Sequence, residues 1–209
     1  MNVTNDKHQK KTSERILEAA EKLFSEMGYD GVSVNDVAVE ARVNKASVFY
    51  HFGNKEALFE TVLNSYCELQ LEKLQTADTT SGSAQDRLHR VMDAYLDFVI
   101  ENRNFATMLT GMLSNTARAA LVHRAMGETL SWLHQGFADL TPARGPGSWS
   151  QALFTLMGAA LTWTTFLPVI NIGEERPSTS FEGTEERRAH IHWLIDLVLE
   201  AANVEANPQ

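Results

Sequence analysis

The amino-acid sequence predicts an all-α fold, with an N-terminal three-helix unit built on a helix-turn-helix and a larger C-terminal helical domain. Three observations carry this. Apolar residues recur at three- and four-residue intervals along most of the 209 residues. Helix-start residues, Ser33 with Asp36, then Asn44, then Asn54, stand in front of successive apolar runs. No segment competes with the two-residue alternation of a strand, and no fixed-period repeat suggests a solenoid.

From Arg15 to Gly28, the residues Ile16, Ala19, Ala20, Leu23, Phe24 and Met27 give a helix one apolar face, and Gly28 can take the left-handed conformation that ends it. Ser33-Val34-Asn35-Asp36 then opens a short helix, with a hydroxyl at the cap and a carboxylate three residues on. Val34, Val37, Ala38 and Ala41 form its apolar side. It breaks around Ala41-Arg42-Val43, and Asn44 caps a second short helix whose first turn exposes Lys45, Ala46 and Ser47. That helix carries Phe49, Tyr50 and Phe52 into Gly53-Asn54-Lys55-Glu56, the start of the next apolar run; Phe52 and Leu58 are expected in the core.

Arg15, Ile16, Leu17, Ala19, Ala20, Leu23 and Phe24, then Gly28-Tyr29, Val32-Ser33-Val34, Val37-Ala38, Ala41, Val43 and the stretch Asn44 to Leu58 fall in order without a gap. In these residues, about a quarter of the chain, the sequence resembles the DNA-binding domain of the TetR family of bacterial transcriptional regulators. The resemblance implies base contacts from Asn35, Lys45, Ala46 and Ser47, with Phe49 touching a thymine methyl or the sugar-phosphate edge. It implies phosphate contacts from Ser33, Tyr50, His51 and Lys55, the last helped by the helix N-terminus capped by Asn54. His51 has a second reading, as a ring packed between Phe52 and the following helix. Many family members have Gly at the position of Ala46 and Tyr at that of Phe49, so here a hydroxyl contact is absent.

Charge divides unevenly. Residues 1–59 carry eight Lys or Arg against nine Asp or Glu, and residues 60–209 carry ten against eighteen. DNA affinity must therefore rest on a few placed cations and N–H groups, and an acidic body weakens non-specific binding. The local basic cluster, Lys7, Lys10, Lys11 and Arg15 with His8, reads either as a solvated tail or as an arm reaching phosphates or a minor groove. The division expected is a helix-turn-helix domain over residues 1–53, of which 1–11 are a flexible basic arm, and an effector-binding and dimerisation domain over 54–209.

No apolar run follows the N-terminal lysines as in a signal peptide, and the single cysteine, Cys67, rules out an internal disulfide, so a cytoplasmic location is expected. Cys67 is expected to be a structural thiol, because no second cysteine can resolve an oxidised form.

Beyond the head, helices are expected over 54–75, 84–101, 104–113, 114–137 and 149–172, with a last helix ending near residue 202; the loops are 76–82, 141–147 and 173–184. The segment 149–172 lacks charge and has the length of a bilayer span, but Gln151, four threonines, Gly158 and Pro168 interrupt it, so a buried soluble helix is expected and no membrane partner.

The family resemblance implies that this helix faces a ligand cavity and a dimer partner. Methionines and aromatics at helical spacing are either plain core or the lining of a plastic apolar pocket. The pocket expected is Tyr95, Phe98, Phe105, Met108, Met112, Phe154, Met157, Trp163 and Phe166, with His123 and Thr162 orienting a small effector; Thr110, Asn115 and Thr165 are further polar candidates. On the last helix, Ile191, Leu194, Ile195 and Val198 form the apolar stripe expected to pair two copies in a four-helix bundle.

Enzyme chemistry has no foothold. The sequence lacks a phosphate-binding Gly-rich loop ending in Lys-Ser or Lys-Thr, a His-Glu-x-x-His pair and a nucleophile elbow, and His190 and His192 point to different sides of a helix. No cofactor and no metal are expected. The expected function is a homodimeric repressor that holds a palindromic double-stranded operator and is released by a small, mostly apolar effector. The alternative is an effector-independent nucleoid-type or membrane-associated DNA-binding protein.

Overall fold

The computed structural model describes the backbone of residues 3–113, 116–170 and 181–206, and side chains within 11–112, 118–166 and 183–202. Every regular element in these residues is helical: α1 (Val3–Gly31), α2 (Val34–Glu40), α3 (Lys45–Phe52), α4 (Lys55–Ala77), α5 (Ala84–Glu101), α6 (Arg103–Leu113), α7 (Thr116–Ala125), α8 (Gly127–Phe137), α9 (Trp149–Ile170) and α10 (Phe181–Ala206), with a short 3-10 turn at Ala138–Leu140. The fold is all-α. Among the described residues, no helix is long and apolar enough to cross a membrane.

The chain divides into two compact units, Met1–Glu68 with Asn104–Met126 and Leu69–Arg103 with Gly127–Gln209. Helix α4 belongs partly to each, so this division differs from a cut after residue 53. Its first four turns carry Leu58, Phe59, Val62, Leu63 and Tyr66, which are buried with the head.

In the first unit, Ile16, Ala20 and Phe24 of α1 meet Val37 and Ala38 of α2, Val48 of α3, and Leu58 and Phe59 of α4 in a core from which water is excluded. Full burial of each large side chain contributes about 1.5–3 kcal/mol. Phe24 meets Phe59 edge-on at 5.0 Å. The regular geometry of α1 stops at Gly28, whose φ of 69° is the left-handed conformation a glycine adopts freely, as its place in the sequence suggests. At its other end α1 begins at Val3, not near Arg15. The segment expected as a flexible arm over residues 1–11 is helical from residue 3, because it contains no Gly or Pro and extends a helix already nucleated by the core.

Helix α2 starts as expected: Asp36 N–H donates to the Ser33 hydroxyl at 3.2 Å, and Ser33 N–H donates to the Asp36 carboxylate at 2.8 Å. In the second unit, Ser83 and Asp86 repeat this box at the start of α5, at 3.1 and 2.8 Å. Its core joins Leu88, Val91, Met92, Tyr95 and Phe98 of α5, Leu133 and Phe137 of α8, Ala152, Leu156 and Ala160 of α9, and Ile191, Ile195 and Leu199 of α10. The single helix expected over 114–137 is two, α7 and α8, parted at Met126-Gly127. Gly127 is the residue least able to hold the helix through that point. Residues 114, 115 and 171–180, which include the candidate Asn115 and most of the expected loop 173–184, lie outside the described residues.

Candidate nucleic-acid interface

Helix α3 has one buried residue, Val48, which fixes which side faces the core. Lys45, Ala46, Phe49 and Tyr50 are therefore exposed together, with Tyr50 at 74 % and Phe49 at 44 %. Asn44 caps α3: its Oδ1 accepts from the Ser47 N–H at 2.8 Å and from the Ser47 hydroxyl at 2.9 Å. Ser47 is half-buried beneath this cap. The Lys45 ammonium lies 5.7 Å from the Phe49 ring centroid, so charge and ring share one ridge.

The turn before α3 is held from behind. The Arg15 guanidinium donates to the carbonyl oxygens of Ala41 and of Arg42, the latter at 3.2 Å. Arg42 has φ 53°, the one left-handed non-glycine among the described residues, and its side chain is exposed beside α3. Arg15, grouped in the sequence with the basic arm, thus stabilises the turn. On α2, Ser33 and Asn35 are exposed, and Val39 is 70 % exposed on the same short helix. Sequence reasoning singled out neither Arg42 nor Val39 as an interface residue.

After α3, Gly53 at φ 78° turns the chain into α4, whose Ala57 N–H donates to Asn54 Oδ1 at 2.8 Å. His51 is half-buried, with Tyr50 edge-on at 5.2 Å and Phe52 tilted at 6.2 Å. Phe52, expected in the core, is half-buried, whereas Leu58 is completely buried. Lys55 is half-buried too, and its ammonium sits 4.3 Å from the Tyr29 ring centroid. Burial holds this amine below its ordinary value; the Asp30 carboxylate opposes that and Arg118 adds to it.

The residues proposed for an effector pocket fall in different places. Phe105, Met108 and Met112 are buried in the first unit, and His123 on α7 is exposed. Tyr95 and Phe98 are buried in the core of the second unit, where burial raises the Tyr95 phenol. Phe154, Thr162, Trp163 and Phe166 instead line an open groove of about 410 Å³ along α9, with Arg187 of α10 at its side. Phe154 and Phe166 are 78 % and 54 % exposed, and Met157 is half-buried. Arg187 donates to the Ala159 carbonyl and lies 5.8 Å from the Trp163 ring.

The stripe proposed for dimerisation is also split. Ile191 and Ile195 are buried within the single chain, because that side of α10 packs on α5 and α9. Leu194 and Val198 are half-buried, and among the described residues the exposed large apolar side chains of α10 are Trp193 and Leu197, rotated more than a third of a turn from the expected stripe.

Comparison with known proteins agrees with the geometry of the head. Residues 16–62 match the family described as bacterial regulatory proteins, tetR family. IcaR of Staphylococcus aureus, a negative transcriptional regulator of the biofilm operon icaADBC, is 30% identical over 103 residues, 49% of this chain and 54% of the relative. YuxN of Bacillus subtilis, an HTH-type transcriptional regulator, is 27% identical over 99 residues, 47% of this chain and 34% of the relative. The chain thus spans about a third to a half of the length of these curated relatives. Among solved structures, a TetR-like regulator from Rhodococcus sp. RHA1 superposes with TM-score 0.68 at 20% identity, over 90% of this chain and 96% of that one. The fatty acid degradation regulator FadR from Bacillus halodurans does so with TM-score 0.64 at 14% identity, over 90% and 94%. At these identities the structures speak to the fold, and the sequence match speaks to the head. It is through that head, residues 16–62, that the chain is similar to the tetR family of bacterial regulatory proteins.

Proposed function

We propose that the chain is a transcriptional regulator of the cytoplasm that represses by occupying a palindromic double-stranded operator as a homodimer, and leaves it when a small, mostly apolar effector binds. The observation that carries this reading is the exposed ridge of α3. A short helix, capped at its N-terminus and pinned by one buried residue, presents Lys45, Ala46 and Phe49, and its first turn is slim enough for a major groove. Asn35 and Ser47 flank that ridge as further base contacts. Ser33, Tyr50, His51 and Lys55 are the proposed phosphate contacts, on either side of it.

Repression is the activity of the Staphylococcus relative, and it comes to this chain by that likeness of the head. For the homodimer, the support is the exposed apolar surface within the second unit: Phe154 and Phe166 on α9, and Trp193 and Leu197 on α10. A two-fold pairing would cover it and set two heads on half-sites about one helical turn apart. For the effector, the support is the quantity of buried Met and aromatic side chain in α5 and α6.

The test is selection of bound fragments from genomic DNA, followed by titration of the enriched duplex in graded salt. A specific regulator retains one palindromic site at moderate salt. Loss of all sequences together as salt rises would favour a general DNA binder and overturn the reading.

A further inference from the structure

Lys55 is the one proposed phosphate contact whose charge rests on an aromatic face from outside its own helix. Its Nζ lies 4.3 Å from the Tyr29 ring centroid, while the Arg118 guanidinium carbon of α7 lies 5.2 Å from the same centroid. The ring cannot drift: Tyr29 stands edge-on to Phe59 at 5.1 Å and is stacked with Phe24 at 6.0 Å, and both phenylalanines are fully buried. Arg118 is committed a second time, to the Asp30 carboxylate at 2.5 Å. Asp30 is the carboxylate acting most strongly on Lys55, and Asp36 acts less.

An ammonium seated on a ring keeps its full charge, since the ring attracts it by its quadrupole alone. A carboxylate in the same place would neutralise it and compete with a phosphate. Holding the amine in place also reduces the side-chain freedom that a lysine loses on binding. We propose that Tyr29 is a positioning residue for DNA binding: its anchored ring presents the Lys55 ammonium to a backbone phosphate, while Arg118 occupies Asp30 and keeps that carboxylate from capturing it. This rests on the reading of Lys55 as a phosphate contact, and it ties α7 to the DNA-binding surface through a single side chain.

The test uses the full-length chain and the duplex enriched from a randomised pool. Lys55→Ala is expected to lower affinity and to reduce the salt slope by about one unit. Tyr29→Leu is expected to weaken binding roughly two- to fivefold, and to add nothing in the Lys55→Ala background. Tyr29→Phe keeps a ring and is expected to bind as the parent does. In NMR spectra the Lys55 ε-methylene protons should be shifted upfield in the parent and in Tyr29→Phe, and move to the free-lysine position in Tyr29→Leu. Arg118→Gln should weaken binding, and Asp30→Asn should restore it.

The outcomes separate. If Lys55→Ala leaves affinity and slope unchanged, the phosphate reading falls, and this proposal with it. If Lys55→Ala weakens binding but Tyr29→Leu does not, or weakens it equally in both backgrounds, the seat is refuted while the phosphate contact stands. Should Tyr29→Leu fail to fold, two readouts still decide: an unshifted Lys55 ε-methylene in the parent, or parent-like binding by Arg118→Gln, overturns the proposal.

Discussion

Asn44 holds Ser47 twice: its Oδ1 accepts both the backbone N–H and the hydroxyl of Ser47, at 2.8 and 2.9 Å. A hydroxyl has one proton to give, and in this arrangement it is given to the cap. In the proposed contact with a base, Ser47 would therefore serve only as an acceptor, and its natural partners are the exocyclic amino groups of adenine or cytosine.

The recognition helix can be tested on this basis. Ser47→Ala should relax the preference for A or C at one position of the selected site by about 1 kcal/mol, roughly fivefold, and leave other positions unchanged. Site selection with the variant and the parent measures it. A uniform loss across all positions would mean that Ser47 supports the cap and reads nothing.

Arg15 bridges α1 to the turn of the helix-turn-helix through the carbonyls of Ala41 and Arg42, just where the left-handed Arg42 interrupts helical hydrogen bonding. Arg15→Met retains the apolar stem and deletes both bonds. The expected loss is about 1.5–3 kcal/mol of stability, read by urea unfolding, because bonds from a charged donor exceed neutral ones. DNA affinity measured well below the melting transition should fall as well, since the turn sets the angle of α3. Unchanged stability would show that the turn is held without Arg15.

The head was largely legible in the sequence because its signals are local. Ser33 with Asp36, Asn44 and Asn54 act on N–H groups two or three residues away, and Gly28 and Gly53 adopt the positive φ that their positions imply. Arg15 escaped, since its partners lie 26 and 27 residues on and no spacing rule reaches them. On α10, an apolar stripe stated only that some face is buried. Whether Ile191 and Ile195 meet α5 and α9 or a second copy depends on packing between distant segments, and the sequence pattern is the same for both. The Met and aromatic candidates separate for a similar reason: spacing places Phe98 and Phe154 on apolar faces, yet one is fully buried and the other 78 % exposed.

Cys67 is buried on α4, and burial pushes its thiol up to about 12, with Glu68 adding to the effect. At pH 8 the folded chain should resist alkylation, and the rate of labelling should follow unfolding by urea. The linkage has a definite sign: a thiol whose proton is held more tightly in the folded state contributes stability below its ordinary value of 9.0, and loses it as pH rises from there towards 12. Cys67→Ser or Cys67→Ala should remove this part of the alkaline destabilisation. Rapid labelling under native conditions would instead point to a reactive thiol.

The exposed face of α10 gives the sharpest test of assembly. Trp193 and Leu197 are 56 % and 46 % exposed, and a helix places residues four apart on one side, so a two-fold partner would cover them together. Trp193→Glu with Leu197→Glu puts four like charges across the seam of a dimer but leaves the protomer core of Ile191, Ile195 and Leu199 intact. Sedimentation should then report folded monomers, with helicity near that of the parent. Affinity for a palindromic duplex should collapse towards that of a single half-site, although no residue of the head has changed. Placing the same pair of charges at Ile191 and Ile195 should unfold the second unit instead, because those side chains are 1 % and 0 % exposed within one protomer. A parent-like dimer from the exposed-face variant would move the interface off α10 altogether.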